Sequence, residues 1–346
     1  MEELIILFGG RSAEYEVSLL SAYNIIKAVD DGKYSLIKIG MTKEGEWYEY
    51  SGDNEKIKNG QWIADKENLG ATGLLPHKGI YSEKQKRIIP NTVPVFPAVH
   101  GSYCEDGKLQ GLLDMCGFDY VGPKTTASAV CMDKHITKLI MNSYGIPQAD
   151  FILITKHNRA DAEKLVAAKF KYPVFVKPAN AGSSVGSSKV KSADELGAAI
   201  DTSLSYDGKV LVEEYIQGKE VEVAVMGNDE PFTSRPGEIC PNSDYYDYDT
   251  KYKTDTAAYY IPARISAETE EKIKEYALTI YKAADCRCLS RVDFFVCDNG
   301  RIVFNEINTL PGFTSISMYP SLMQAYGFTY AEIIEKLVQL SKENKR

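Results

Sequence analysis

The chain has 346 residues, 44% of them hydrophobic and 25% charged, enough for two or three domains with full cores and unlike a fibrous or disordered chain. Its net charge of −8, with no Lys/Arg block beyond the terminal KENKR, excludes a nucleic-acid-binding surface but leaves room for local basic pockets that take phosphates. Seven cysteines without CxxC spacing read as reduced thiols; MEELIILFGG is neither a signal peptide nor a membrane span, so a soluble, cytoplasmic protein with no membrane partner is expected.

LIILF (4–8) is a continuous apolar run that suits a buried parallel strand. It ends at Gly9-Gly10, after which Ser18 is placed to cap a helix whose apolar face is Leu19, Ala22, Tyr23, Ile26 and Val29. YSLIKIGM (34–41) reads as the next strand, giving one βαβ unit of a doubly wound domain. Residues 42–86 are polar, Gly-rich and weakly periodic, and read as loops and short insertions. TVPVFPAV (92–99) returns to strand character, LQGLLDMCG is a short helix, and YVGP closes the unit near residue 123.

The pattern over 125–145 predicts one helix, stopped by Gly145 and Pro147. Strand FILIT, helix DAEKLVAAKF and strand YPVFVKP follow, then the small-residue loop ANAGSSVGSS, strand SKVKS and helix ADELGAAIDTSLS. VLVEEYIQGKEVEVAVMG gives two strands around IQGKE, and a Tyr/Asp-rich loop covers 242–260. A helix over 267–284, a hairpin, a Pro-Gly loop and a helix FTYAEIIEKLVQLSK complete the chain. The expected architecture is α/β plus α+β: a doubly wound parallel-sheet domain over 1–123, then two α+β lobes over 124–212 and 213–346.

The hairpin RVDFFVCDNGRIVFNEIN (291–308) carries the first chemical signal. Asn299-Gly300 predicts a two-residue type I′ turn, so Asp298 should face Arg301, Asp293 should face Glu306, and Arg291 should face Asn308. Two carboxylates directly opposite each other destabilise a sheet unless a cation lies between them. With Asn308 they form a hard-oxygen set of the kind Mg²⁺ prefers; alternatively Arg291, on the same face, neutralises both acids in a structural ion-pair cluster.

Other candidates are weaker singly. The loop KPANAGSSVGSSKV places Lys177 before a Gly/Ser stretch, unlike a Walker A loop, yet its N–H groups can wrap phosphate oxygens. In VLVEEYIQGKEVEV, Glu213 or the backbone beside it can accept adenine amino hydrogens, and Glu220 can accept from ribose hydroxyls; both equally suit a solvent-facing strand pair. Lys134 reads equally as an exposed helix lysine. His100 ends an apolar strand, where open α/β sheets bind ligands. Glu14 follows another strand end, placed either to hold an ammonium group or simply to favour a helix start.

Together these segments resemble the D-alanine–D-alanine ligases of the ATP-grasp superfamily. The matching motifs are FGGRSAEYEVS, HGSYCEDGKLQG, CMDK, VKPANAGSSVG, EEYIQGKEVEV, YYDYDTKY, RVDFF and FNEINTLPGFTSIS, in family order along essentially the whole chain. The resemblance implies an ATP-grasp fold whose two lobes clasp ATP, a D-alanyl phosphate intermediate, and attack on it by the amine of a second D-amino acid. It implies that Glu14 binds the ammonium of the first D-alanine, with His100 beside it and Ser183 and Tyr252 orienting it. Lys134, Lys177, Ser184 and Lys251 would meet ATP phosphates, and Glu213 and Glu220 the adenosine. Arg291 and the Gly312 N–H would meet oxyanion charge. Asp293, Glu306 and Asn308 would hold two Mg²⁺ ions, or Mn²⁺ in their place. Ser317 and Met318 would line the second-substrate site. A homodimer is also implied.

The sequence departs from the family pattern at Tyr103, Cys104 and Ile316, all near the expected substrate pocket. Similarity to vancomycin-resistance D-Ala–D-Ser ligases, in segments such as PARI, makes D-serine the alternative second substrate. Apolar Met318 favours D-alanine. An alternative of another class is a catalytically silent nucleotide-binding module.

Overall fold

Alternation along the first strand decides how the first sheet is covered. In β1 (Glu2–Gly9), Leu4, Ile6 and Phe8 face one core and Ile5 and Leu7 another. The helix Tyr15–Ala28 packs on the first face and Lys108–Cys116 on the second. β1 pairs in parallel with β2 (Tyr34–Met41) and with β7 (Val95–Ala98), so this half is doubly wound. The structure is a computed structural model that describes residues 1–30, 32–240 and 258–344.

Residues 42–86, expected to be loops, instead extend that sheet. β3 (Trp47–Tyr50), β4 (Leu69–Leu75), β5 (Gly79–Ser82) and β6 (Arg87–Pro90) add antiparallel strands in the order β6-β5-β4-β3-β2-β1-β7. β3, β5 and β6 have four residues each, too few to show a period, and β4 is interrupted by two glycines. Pairing with β2 and the burial of Trp62, Ile80 and Ile89 hold them.

The second sheet is antiparallel: β8 (Phe151–Thr155), β9 (Val174–Pro178), β10 (Ser188–Val190) and β11 (Lys209–Glu214), in the order β10-β9-β11-β8. It has its own core, where Val174, Val176 and Val212 meet Val166 and Ile200 of two helices. The third sheet contains β12 (Lys219–Met226), β13 (Phe232–Thr233), β14 (Gly237–Cys240), β15 (Ala258–Tyr260), β16 (Leu289–Val296) and β17 (Ile302–Asn308). Val221, Val223, Val292 and Phe294 turn to the helix Ala267–Ala283. The opposite face of β12 and β16 therefore carries Glu220, Glu222, Arg291, Asp293 and Phe295. The two C-terminal helices share a core with the first sheet, Leu337 and Tyr319 joining Leu4 and Phe8.

Four local expectations are corrected. Ser18 is not a cap: the helix starts at Tyr15, and the buried Ser18 hydroxyl accepts from Gly9 N–H and donates to the Ala98 carbonyl. The helix over 125–145 is two, Thr125–Met132 and Lys134–Ser143, because Asp133 turns extended and caps the second. A helix at Met318–Tyr326 lies where only a loop was expected.

The fourth concerns the hairpin. Arg291 faces Asn308 and Asp293 faces Glu306 as predicted, but Phe294 faces Phe304 and Val296 faces Ile302. The turn is one residue longer than a type I′ turn: Cys297, not Asp298, bonds to Arg301, and Gly300 sits at φ +82° donating to the Cys297 carbonyl. That is a type I turn closed by a left-handed glycine. A bulge between the Phe294 and Asp293 pairings, with Asn305 as the extra residue, takes the shift back.

Candidate active site

The acids predicted to meet across the hairpin form a wider pattern. Glu222 of β12 faces Asp293 of β16, which faces Glu306 of β17, a rung of three carboxylates across three strands. The next rung is Ala224, Arg291 and Asn308. Arg291 binds the Asp293 carboxylate with two hydrogen bonds of 2.8 and 2.7 Å and lies 2.7 Å from Glu222. Burial works against its charge, but Asp293 and Glu222 outweigh it and hold the guanidinium pKa well above its ordinary value. Asn308 donates to Asp293 at 2.9 Å, and Lys134 Nζ lies 3.7 Å from Glu306.

The donor chemistry fits a divalent cation that keeps part of its shell for phosphate and water. Two facing carboxylates and one amide are hard-oxygen donors, while Arg291 on Asp293 and beside Glu222 makes an ion-pair cluster on the same face, and among the described residues no group of three or more His, Cys, Asp or Glu is arranged to hold a metal unaided.

A cleft of about 430 Å³ separates the second and third sheets. Lys134, Lys177, Ser183, Ser184, Glu213, Glu220 and Glu306 all line it, together with Phe175, Ile216 and Phe295. Lys134 reaches the cleft because Asp133 starts a new helix immediately before it; its Nζ donates to Ala181 O at 2.7 Å. Burial pulls its pKa down, against the attraction of Glu306.

Lys177 stands on β9, its Nζ 2.9 Å from Glu213 and 3.3 Å from Asn305 Oδ1. Asn305 is the bulged residue, so the bulge is what turns an amide toward this lysine. Glu213 lies between Lys177 and the buried Lys138, 3.1 Å away. Burial disfavours its charge, but the two lysines prevail and lower its pKa. The Glu213 carboxylate is thus committed to ammonium groups, and the backbone of Glu214–Ile216 is what remains beside it to meet a base.

The loop after Lys177 is anchored by Asn180, whose N–H and side-chain amide both donate to Asp207 at 2.8 and 2.9 Å. Ser183 and Ser184 follow with φ of +48° and +60°, a left-handed turn that directs consecutive N–H groups to one side. The Ser183 hydroxyl donates to the Glu14 carboxylate at the start of the first domain's first helix. Glycines make the approach possible: a Cβ on Gly182 would lie 2.7 Å from Glu14 Oε2, and one on Gly101 would collide with it. Glu14, Lys134, Ser183, Glu306 and Asn308 line one small cavity of about 50 Å³, where all three sheets contribute.

His100 is buried beside this point. Its Nδ1 lies 2.9 Å from the Leu310 carbonyl, which fixes Nδ1 as the donor, and Nε2 accepts from Ser21 at 2.9 Å. Ser21 in turn accepts from Phe313 N–H at 3.1 Å. His100 therefore ties the first sheet to the 310–313 turn that carries Gly312. Burial lowers its pKa against the pull of Glu14, so the ring is neutral. Glu105 clamps the same two segments, accepting from Gly101 N–H at 2.6 Å and Leu310 N–H at 3.0 Å. Burial and the nearby Glu14 raise its pKa to about 8.

Ser317 precedes the helix Met318–Tyr326, and its Oγ accepts from Thr314 N–H at 2.9 Å beside Gly312. Met318 is buried against Gly237. Tyr252 and Lys251 lie outside the described residues. Sequence reasoning missed Asn305, Lys138 and Glu222, and placed Glu105 only in a polar turn after the His100 strand; for the missed three the one usable signal was Glu222, which shares its face with Glu220 at strand spacing.

Two family models match the chain: D-ala D-ala ligase N-terminus over residues 3–123 and D-ala D-ala ligase C-terminus over residues 140–339. The D-alanine--D-alanine ligase of Clostridium acetobutylicum is 44% identical over 345 residues, covering 98% of each chain. That of Acetivibrio thermocellus is 46% identical over 365 residues, covering 98% of this chain and 96% of its own. Among solved structures, the VanG D-Ala:D-Ser ligase from Enterococcus faecalis superposes with TM-score 0.90 at 42% identity, over 98% of this chain and 99% of that one. The D-alanine-D-alanine ligase from Coxiella burnetii gives 0.87 at 31% identity, over 99% and 94%.

Proposed function

The chain belongs to the D-alanine–D-alanine ligase family, an ATP-grasp fold, and from that premise we propose how its residues share the reaction. It is an ATP-dependent ligase that joins two D-alanines, the dipeptide used in peptidoglycan synthesis. The observation that carries the assignment of roles is the small cavity where Glu14, Lys134, Ser183 and Glu306 meet. An amino acid whose ammonium pairs with Glu14 points its carboxylate toward the groups that hold a nucleotide phosphate.

ATP occupies the cleft between the second and third sheets. Its base lies against Phe175, Ile216 and Phe295 with the 214–216 backbone at its edge, its ribose near Glu220, and its phosphates over Lys134, Lys177 and the Ser183–Ser184 turn. Asp293, Glu306 and Asn308 would hold Mg²⁺, two ions by the resemblance, which when bound would neutralise phosphate charge. Transfer of the γ-phosphoryl group to the first D-alanine makes an acyl phosphate. The second amine attacks its carbonyl carbon, and phosphate leaves. Arg291, held rigid by Asp293 and Glu222, and the Gly312 N–H meet the oxyanion. His100 acts by holding the Gly312 turn, since both its ring nitrogens are engaged.

The three sheets support the division into 1–123, 124–212 and 213–346, with β11 running two residues past the second boundary. All seven thiols are free, which agrees with a reducing cytoplasm. Among the described residues no helix is long and apolar enough to cross a membrane. A homodimer follows from the resemblance alone.

The similarity to the VanG ligase keeps D-serine as a second reading for the second site. Met318 is assigned to that site by the resemblance; in the structure it is buried against Gly237, and a thioether would give a D-serine hydroxyl no strong hydrogen-bond partner, which favours D-alanine, although one methyl against one hydroxyl is a small difference of about 1–3 kcal/mol. Phosphate release from ATP, Mg²⁺ and D-alanine, followed by identification of the dipeptide formed from D-alanine plus D-serine, tests both readings. No release with any D-amino acid would end the ligase assignment, and predominant D-alanyl-D-serine would reverse the second-substrate assignment.

A further inference from the structure

Lys138 is among the largest fully buried side chains of the molecule, and it is a lysine. It sits one helical turn after Lys134, is 1% exposed, and does not line the nucleotide cleft. A charge in such a position is costly unless another group balances it. Its Nζ lies 3.1 Å from one oxygen of Glu213 and 3.4 Å from the Ala149 carbonyl. The other Glu213 oxygen lies 2.9 Å from Lys177, which does line the cleft. The three side chains form a linear relay from the interior to the cleft: ammonium, carboxylate, ammonium.

Charge arithmetic gives the relay a purpose. Glu213 and Lys177 alone would be a neutral pair, with the lysine turned inward to its carboxylate. A third, sealed charge makes the group net positive; Lys177 and Glu213 both line the cleft, so the surplus positive charge acts there through Lys177. We propose that Lys138 is a positioning residue for nucleotide binding: by balancing one oxygen of Glu213 from behind, it lets Lys177, held at the other oxygen, carry a net positive charge toward a nucleotide phosphate. This rests on the reading that Lys177 meets phosphate. Burial pulls the Lys138 pKa down against the attraction of Glu213, while the neighbouring lysines lower that of Glu213 against its own burial.

Calorimetry on the full chain with Mg²⁺ and a non-hydrolysable ATP analogue, and separately with adenosine, tests the relay. Lys138→Met should weaken the triphosphate about tenfold or more, the scale of one charge-assisted contact, and leave adenosine unchanged. Lys138→Arg should restore most of the affinity. The double variant Lys138→Met/Glu213→Gln should bind the triphosphate better than Lys138→Met alone, because it removes the carboxylate that competes for Lys177. If Lys138→Met fails to fold, the charge-balanced double variant is compared with the parent instead: its triphosphate affinity should stay near the parent's because its lysine again carries one net positive charge, and a loss of about tenfold or more would overturn the proposal. Equal loss of adenosine and triphosphate affinity, or a double variant no better than the single one, would overturn the proposal. Lys177→Met separates the two claims. If it leaves triphosphate affinity intact, the phosphate reading of Lys177 fails. If it weakens binding while Lys138→Met does not, the relay alone is wrong.

Discussion

Ser183 donates a hydrogen bond to the carboxylate of Glu14, joining the loop of the second sheet to the first helix of the chain across 169 sequence positions. The bond spans the substrate pocket, and a left-handed backbone at Ser183 presents it. Under the proposed roles it would couple two events, ammonium capture by Glu14 and placement of the phosphate loop. Ser183→Ala should therefore lower kcat/KM for D-alanine about tenfold or more, the scale of one hydrogen bond to a charged group. Affinity for adenosine should not change. Steady-state kinetics with D-alanine varied, beside calorimetry with adenosine, checks this; an unchanged kcat/KM would show that the bond does not bear on turnover.

Glu306 faces Asp293 across the hairpin and has Lys134 3.7 Å away, so under the proposed roles it would both hold a divalent cation and orient the lysine assigned to phosphate. Glu306→Gln keeps the shape and removes the charge. Activity should fall about 100-fold or more, since second-layer groups around metals already cost about 10–100-fold and a direct ligand should cost more. The thermal midpoint should stay near that of the parent, because the side chain is only half-buried and outside the hydrophobic cores. Near-normal activity in the Glu306→Gln variant would refute the metal assignment.

The hairpin also shows how far sequence reaches. Asp293, Glu306, Arg291 and Asn308 were legible as one face because pairing arithmetic needs only a turn and a period. The arithmetic succeeded through two deviations that cancel: a longer turn closed by Gly300 and a bulge at Asn305. Nothing local announces that bulge, whose effect is to aim an amide at Lys177 from a different sheet. Lys138 was invisible for a similar reason. A lysine four residues after another on a helix looks solvated, and only the approach of Glu213 from β11 explains its burial. The strands β3–β6 were missed because β3, β5 and β6 are too short to show a period and β4 is interrupted by glycines, and their stability comes from neighbours.

Glu105 makes stability depend on pH. Its carboxyl has a pKa of about 8 when folded, against an ordinary 4.5, because it is buried and faces the Glu14 charge. The folded chain therefore binds this proton more tightly than the unfolded chain. Its contribution is fully present below pH 4.5 and is lost as pH rises through about 8. Thermal unfolding of the parent followed across that window should show this loss, and Glu105→Gln, which cannot titrate, should show a flatter profile even with a lower midpoint throughout. A glutamine side chain there can accept from only one of the Gly101 and Leu310 N–H groups, so a cost on the order of 1–2 kcal/mol at low pH is expected. A parent and variant with parallel pH profiles would show that Glu105 ionises alike in both states.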